Sequence, residues 1–343
     1  MKTNDLRSRL LSNSTIKDTA VLSESQFFSK KDQITTSIPA LNVAFSGCLD
    51  GGFVPGLTMF AGPSKHFKTM FSLIMAKSYL DKYKDAVLLF LDSEFGTPIS
   101  YFESMHIDMD RVVHTPITDV EQLKFELMKQ LEGIVRGDHV IVVVDSIGNL
   151  ASKKEVEDAL DGKSVADMSR AKQLKSLFRM ITPHLTLKDI PMVVVNHTYK
   201  EISVFPKDIV GGGTGAYYGS DNIYILGRQQ DKEGSGADAE LSGWNFIINV
   251  EKSRYVREKT KIPITVGFEG GVSKFSGLLD MALEFSVVVK PKNGWYQIAG
   301  QDKLWRRADT NSDVFWDNVF ANTDFKQRVL QHYTLSTTSM MQH

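Results

Sequence analysis

Gly62-Pro63-Ser64-Lys65-His66-Phe67-Lys68-Thr69 lies between a short apolar run, Leu57–Ala61, and a segment of helical spacing, Met70–Tyr83. A loop in that position turns successive backbone N–H groups inward, and the helix N-terminus adds a dipole that favours phosphate. Lys68, at the helix start, is placed to reach β- and γ-phosphates, and the Thr69 hydroxyl to ligate Mg²⁺. The usual pattern is G-x-x-x-x-G-K-[ST], and here Phe67 stands where the second glycine is expected. Glycine is favoured there because it tolerates backbone angles that strain other residues and leaves room beside the phosphate. The candidate nucleotide contacts are Gly62, Pro63, Ser64, Lys65, His66, Phe67, Lys68, Thr69 and Met70.

Further along, Ala86–Asp92 (AVLLFLD), Val140–Asp145 (VIVVVD) and Pro191–Asn196 (PMVVVN) read as strands buried on both faces. Helical patterns at Val120–Arg136 and Val165–Thr182 separate them. This alternation predicts an α/β fold of right-handed βαβ units with a mainly parallel sheet. Asp92 and Glu94 follow one strand and Asp145 ends another. In such sheets the strand C-terminal ends line one edge, where ligands bind. Asp145 is therefore the expected Mg²⁺ partner of Thr69, and Glu94 the expected general base for an attacking water. Together with the loop, these acids predict an ATP site.

Ile223–Leu226, Asn245–Glu251 and Ile262–Phe268 look like an antiparallel extension. Residues 1–30 read as one polar, amphipathic helical arm, with Leu6, Leu10, Leu11 and Phe27–Phe28 as apolar points. Residues 31–276 form the core, and 277–343 a small C-terminal subdomain with a helix at Leu278–Phe285, an aromatic segment at Trp295–Tyr296 and a last helix near Val314–Tyr333. The formal net charge of −1 gives no hint of nucleic acid, so any DNA site must come from local clustering. The single cysteine, Cys48, excludes an intrachain disulfide, fits a reducing compartment and is expected to be buried as a small hydrophobe. The N-terminus has no apolar stretch of a secretory signal, and no apolar run is long enough for a membrane span.

Gly62–Thr69, DSEFG (Asp92–Gly96), VVVDSIGNLASKKE (Val142–Glu155), VVNHT (Val194–Thr198), VGGGTG (Val210–Gly215) and KPKNGWY (Lys290–Tyr296) together resemble the UvsX recombinases of T4-like phages, and more distantly bacterial RecA. The resemblance covers nearly the whole chain, and Phe67 in place of glycine is shared with the phage group. It implies a RecA-type P-loop ATPase core, an N-terminal arm that docks on the next protomer and a small C-terminal domain. It gives Glu94 the place of the catalytic glutamate and Asp145 that of the Walker B aspartate. Tyr101 falls where the family stacks an aromatic on adenine, and Phe268 near where a neighbouring subunit covers the nucleotide. His197 matches a γ-phosphate sensor. Lys252 and Arg254 match residues that reach a neighbour's ATP, and their spacing on an extended chain points both to one side.

The resemblance also places DNA contacts on two loops, roughly Ser152–Ser164 and Tyr199–Thr214, with Gly211, Gly212 and Gly213 allowing close backbone approach and Lys200, Lys207 and Arg170 supplying charge. Arg170 opens a helix whose exposed face is expected to carry Lys172, Lys175 and Arg179. The function implied is that of a DNA-dependent ATPase using ATP and Mg²⁺. It would polymerise as a helical filament on single-stranded DNA, pair it with homologous duplex and exchange strands in the host cytoplasm. A single-strand-binding protein and a recombination mediator would be its partners. The alternatives are a hexameric RecA-fold helicase and a non-hydrolysing accessory protein, the latter favoured by Phe67. The chain stops at Ser339-Met340-Met341-Gln342-His343 without the acidic tail usual in these families, which predicts weaker autoinhibition of duplex binding.

Overall fold

The computed structural model describes residues 2–25, 27, 31–163, 168–201, 206–233 and 240–335. The chain divides into two compact units, Met1–Asp32 and Gln33–His343. Among the described residues the first holds α1 (Lys2–Asn13) and a 3₁₀ turn, Leu22–Glu24. The helix thus ends well short of the expected arm length. Ser14 explains the stop: its hydroxyl pairs with Thr19 Oγ1 at 2.6 Å and accepts from the Ile16 amide at 3.1 Å, offering the backbone a turn instead of another helical bond. Phe28 lies outside the described residues.

In the second unit the elements run α2 (Pro39–Ser46), β1 (Gly56–Ala61), α3 (Lys68–Lys82), β2 (Val87–Asp92), α4 (Ile99–Ser104), β3 (Val112–Pro116), α5 (Val120–Gly133), β4 (Val140–Asp145), α6 (Lys153–Leu160), α7 (Ser169–Leu187) and β5 (Pro191–Asn196). There follow β6 (Thr198–Lys200), β7 (Asp208–Val210), α8 (Gly213–Gly219), β8 (Asn222–Glu233), β9 (Glu240–Lys252), β10 (Lys261–Gly267) and β11 (Gly271–Val272). The C-terminal part comprises α9 (Leu278–Glu284), β12 (Val288–Lys292), β13 (Trp295–Ile298), β14 (Leu304–Arg306), α10 (Asp313–Asn322) and α11 (Phe325–Tyr333).

The central sheet has the order β11-β10-β9-β8-β1-β5-β4-β2-β3. Strands from β8 to β3 run parallel, and β9, β10 and β11 extend the sheet in antiparallel fashion. Burial on both faces is why β1, β4 and β5 are almost wholly apolar. Alternate residues feed opposite layers: Ile141 and Val143 pack on the α3 side, Val142 and Val144 on the side of α5 and α7. The C-terminal side chains Leu278, Tyr296, Phe315, Trp316 and Phe325 belong to the same apolar cluster as the α3 face of the sheet.

The last helix expected at Val314–Tyr333 is two, because the Thr323 hydroxyl turns back to the Val319 carbonyl (2.6 Å) and also accepts from the Phe325 amide (3.3 Å). Helix α7 begins at Ser169 and runs past Thr182, through Pro183, to Leu187. Cys48 is only half-buried. Among the described residues no helix is long and apolar enough to cross a membrane.

Candidate nucleotide site and its surroundings

The parallel register brings the C-terminal ends of four strands together. Ala61 pairs with Asn196 across β1–β5, and Asp92 with Asp145 across β2–β4. The loop 62–67 leaves β1 at this edge, anchored by the Gly62 amide on the Asn196 carbonyl (3.3 Å), and enters α3 at Lys68. Phe67 takes the left-handed conformation that glycine would supply (φ 63°, ψ 16°). For an L-residue that costs about 1–2 kcal/mol. Its ring stacks on Phe246 (centroids 5.0 Å apart, 25° between planes) and meets Phe71 edge-on at 5.3 Å. The loop therefore keeps the bend of a phosphate loop without the glycine.

A cavity of about 470 Å³ opens over this loop, walled by Ser64–Met70, Glu94, His197, Tyr101 and Arg228. A larger groove of about 1180 Å³ shares Phe67 and Met70 with it and runs between Met105 and the β10–β11 turn. Tyr101, 40% exposed on α4, faces the first cavity. Phe268 is 60% exposed in the turn after β10 and is not among the residues walling either one.

Lys68 is 7% exposed, and its ammonium donates to the Pro63 carbonyl at 2.8 Å, folding back over the loop. Burial lowers its pKa, while Glu94 and Asp145 act the other way. Thr69 donates to Asp145 Oδ2 at 2.5 Å. Asp145 is 1% exposed, and its Oδ1 has no hydrogen-bond partner among the described residues. Burial pushes this carboxyl up to about 6, with Glu94 and Asp92 adding to the shift. A buried carboxylate with an unsatisfied oxygen beside a hydroxyl fits a divalent cation. Among the described residues there is no cluster of three or more His, Cys, Asp or Glu that could hold a metal ion.

Glu94 is closely held. Three donors converge on its Oε1: Ser146 Oγ at 2.6 Å, His197 Nε2 at 3.0 Å and Asn149 Nδ2 at 3.2 Å. The His197 hydrogen bond, ahead of the opposing burial and the Ser146 hydroxyl, lowers its pKa to about 2. A folded-state value below the ordinary 4.5 stabilises the fold above that pH, and the gain is lost as pH falls towards 2. The difference in urea midpoint between the wild-type chain and Glu94→Gln should thus be constant above about pH 5 and shrink below it. A pH series of unfolding curves checks this, and a gap that widens on acidification would contradict it.

Asp92 has a different part from the other two acids. Its Oδ1 accepts from the Glu94 and Phe95 amides (3.1 and 2.8 Å), shaping the turn that presents Glu94. His197 joins this site to the following segment: its carbonyl accepts from the Gly211 amide at 2.9 Å, and Asn196 Nδ2 donates to the Gly211 carbonyl at 2.8 Å. Gly212 and Gly213 are left-handed (φ 86° and 72°) and open α8.

The sequence-derived DNA residues separate into groups. Gly213 lies with Lys172, Lys175 and Lys154 around a hollow of about 600 Å³. Lys154 falls within the first expected DNA segment, Ser152–Ser164, but stands on α6 (Lys153–Leu160), so much of that segment is helix rather than loop. Lys200 is exposed and pairs with Asp208 at 2.8 Å across β6–β7, and Lys207 is exposed beside it. Arg170 corrects the expectation. Its guanidinium turns inward, donating to the carbonyls of Leu150 (2.6 Å), Ile147 (2.8 Å) and Gly148 (2.9 Å), because that loop leaves backbone acceptors without regular partners. Gly148 in turn abuts the His197 ring so closely that a Cβ there would lie 2.1 Å from His197 Cδ2.

Lys252 and Arg254 are not brought to this cavity. The Lys252 ammonium donates to the carbonyls of Ser220 (2.7 Å) and Tyr217 (3.0 Å), and Arg254 pairs with Asp221 at 2.6 Å. Arg254 also lies in a bend beyond β9 rather than on an extended run. Because β9 runs antiparallel to β8, its end falls at the edge of the sheet where β1 begins. A six-residue strand puts that edge roughly 20 Å from the phosphate loop.

Two family models match the chain: the RecA N-terminal domain over residues 15–273, and the C-terminal domain of the bacteriophage T4 recombination and repair protein over 275–329. The recombination and repair protein of Enterobacteria phage T4 is 49% identical over 342 residues, covering 97% of this chain and 86% of its own length. Protein RecA of Parasynechococcus marenigrum is 26% identical over 307 residues, 88% of this chain and 77% of that protein. Protein RecA of Leptospira meyeri is 22% identical over 295 residues, 82% and 73%.

Proposed function

This chain belongs to the RecA family of recombinases, and we propose that it works as a DNA-dependent ATPase whose active sites close between protomers of a filament on single-stranded DNA. The observation that carries this reading is the separation of Lys252 and Arg254 from their own phosphate loop, at opposite edges of one sheet. Head-to-tail stacking of copies is the arrangement that puts one edge against the other, and such contacts generate a helix when the rotation does not close. A non-hydrolysing accessory role is the less favoured reading, since Phe67 takes the left-handed bend that glycine would supply.

The loop amides and Lys68 hold the phosphates of ATP. Thr69 and Asp145 would hold Mg²⁺, whose charge offsets that building up on the β- and γ-phosphate oxygens. Tyr101 stacks on the base, and the groove beside Met70 takes the nucleoside end. Glu94 orients and polarises the attacking water and accepts its proton. His197 lies where its ring N–H can be shared between Glu94 and a γ-phosphate. A change in that bond moves Gly211, and with it the segment that meets DNA. Phe268 closes over the nucleotide of an adjacent protomer. Homologous duplex is the second DNA partner, and a single-strand-binding protein and a mediator assist assembly.

The test is ATP turnover with and without single-stranded DNA, which should be strongly stimulated by it; hydrolysis indifferent to DNA would remove the reading. Binding titrations over a range of salt separate the basic residues. Lys175→Ala should flatten the log–log salt slope by about 0.7, the value for one phosphate contact on a single strand. Arg170→Gln should leave the slope unchanged and lose most of the DNA stimulation, since its donors secure the loop behind His197. A slope that falls equally in both variants would return Arg170 to the DNA surface.

A further inference from the structure

Lys65 and Phe67 are both left-handed (φ 60° and 63°), so the phosphate loop needs support that its own sequence does not supply. Strands β8 and β9 offer one restraint for each residue. Arg228 on β8 donates from Nη1 to the Lys65 carbonyl at 3.1 Å, and its guanidinium lies over the Trp244 ring at 4.2 Å. Two residues along β9 from Trp244, and so on the same face, Phe246 stacks on Phe67. Arg228 and Phe246 are direct partners in the β8–β9 register, which makes the two restraints a single rigid unit. Among the described residues, Arg228, Trp244 and Phe246 all wall the cavity over the loop.

We infer that Arg228, braced by Trp244, is a positioning residue for nucleotide binding. By holding the Lys65 carbonyl outward it keeps the neighbouring amides turned towards the phosphates, and Phe246 does the same for Phe67 by seating its ring. The strand pair thus replaces what the absent glycine would otherwise allow. This rests on the ATP reading above and adds residues that lie outside the loop motif.

The experiment is steady-state ATP hydrolysis by the full chain on single-stranded DNA, with nucleotide binding followed by a fluorescent ATP analogue. Arg228→Ala should raise KM and the analogue's Kd about tenfold while kcat stays within about twofold. Arg228→Lys, which keeps a donor but not the planar stack, should recover part of that loss. Phe246→Leu should raise KM in the parent chain and have no further effect when Phe67→Gly is already present, because no ring remains to be seated. An unchanged KM in Arg228→Ala overturns the inference while ATP use stands, as does an equal effect of Phe246→Leu in both backgrounds. A wild-type chain that neither binds nor hydrolyses ATP overturns the nucleotide reading and this one with it. Should Arg228→Ala fail to fold, Arg228→Lys and the Phe67→Gly pair decide between the same outcomes.

Discussion

Replacing Glu94 by Gln should lower DNA-stimulated ATP hydrolysis by roughly 10²–10⁴-fold and leave nucleotide and DNA binding close to wild type. The substitution is nearly isosteric, and the amide oxygen can still accept from Ser146, Asn149 and His197, whose donors all meet one oxygen of the carboxylate. What disappears is the charge beside the attacking water. The expected loss corresponds to about 3–5 kcal/mol of barrier. On the proposed reading, filaments of this variant should form with ATP and persist, because nucleotide still binds but is not turned over. Single-turnover hydrolysis measured beside nucleotide binding separates the possibilities. A comparable loss of ATP affinity would mean that Glu94 chiefly supports the loop, through its bonds to the Ser146–Asn149 turn, and the catalytic role would then pass to another group.

The parts of this architecture that were legible in the sequence share a physical cause. Strands β4 and β5 were placed to the residue because both faces are buried, and a strand with no solvent side must be apolar throughout. Strand β3 escaped notice for the opposite reason. It is an edge strand, Val-Val-His-Thr-Pro, partly exposed along its length, and no period separates it from a loop. Glu94, Asp145 and Thr69 could be placed near one another from the sequence because their positions follow from strand ends and a helix start, which a linear pattern encodes. Asp92 looked equivalent to them, yet it folds back on the two amides that follow, a distinction made by side-chain torsion alone.

Arg170 illustrates a different limit. Its helical position groups it with Lys172 and Lys175, but a long side chain at a helix start can turn against the preceding loop, and three backbone carbonyls there outweigh the pull of solvent. Phe67 and Phe246 come from distant stretches of chain, so their stack could not be foreseen, nor could the part of Arg228. The misfit glycine position was visible; its remedy was not.

The proposed sharing of active sites between protomers leads to the second large effect. Arg254→Ala should abolish most DNA-stimulated hydrolysis, and Glu94→Gln should do so independently, yet an equal mixture of the two inactive chains should regain roughly a quarter of wild-type activity. A productive interface needs intact Glu94 on one protomer and intact Arg254 on its neighbour, and random assembly yields that order at about one interface in four. Arg254 is the better probe of the pair. It is 70% exposed and its bridge to Asp221 is a surface one, so its removal should hardly affect folding. Lys252 donates to the carbonyls that end α8, and its loss would disturb that helix as well as any contact with a neighbour. The measurement is ATP turnover on single-stranded DNA as a function of mixing ratio. Activity that peaks at equal proportions follows from sites shared between protomers. A mixture that never exceeds its components would place the whole reaction within one chain, and the charge that offsets the transferring phosphoryl group would then have to come from the lysines already at that edge of the sheet, Lys65 and Lys68.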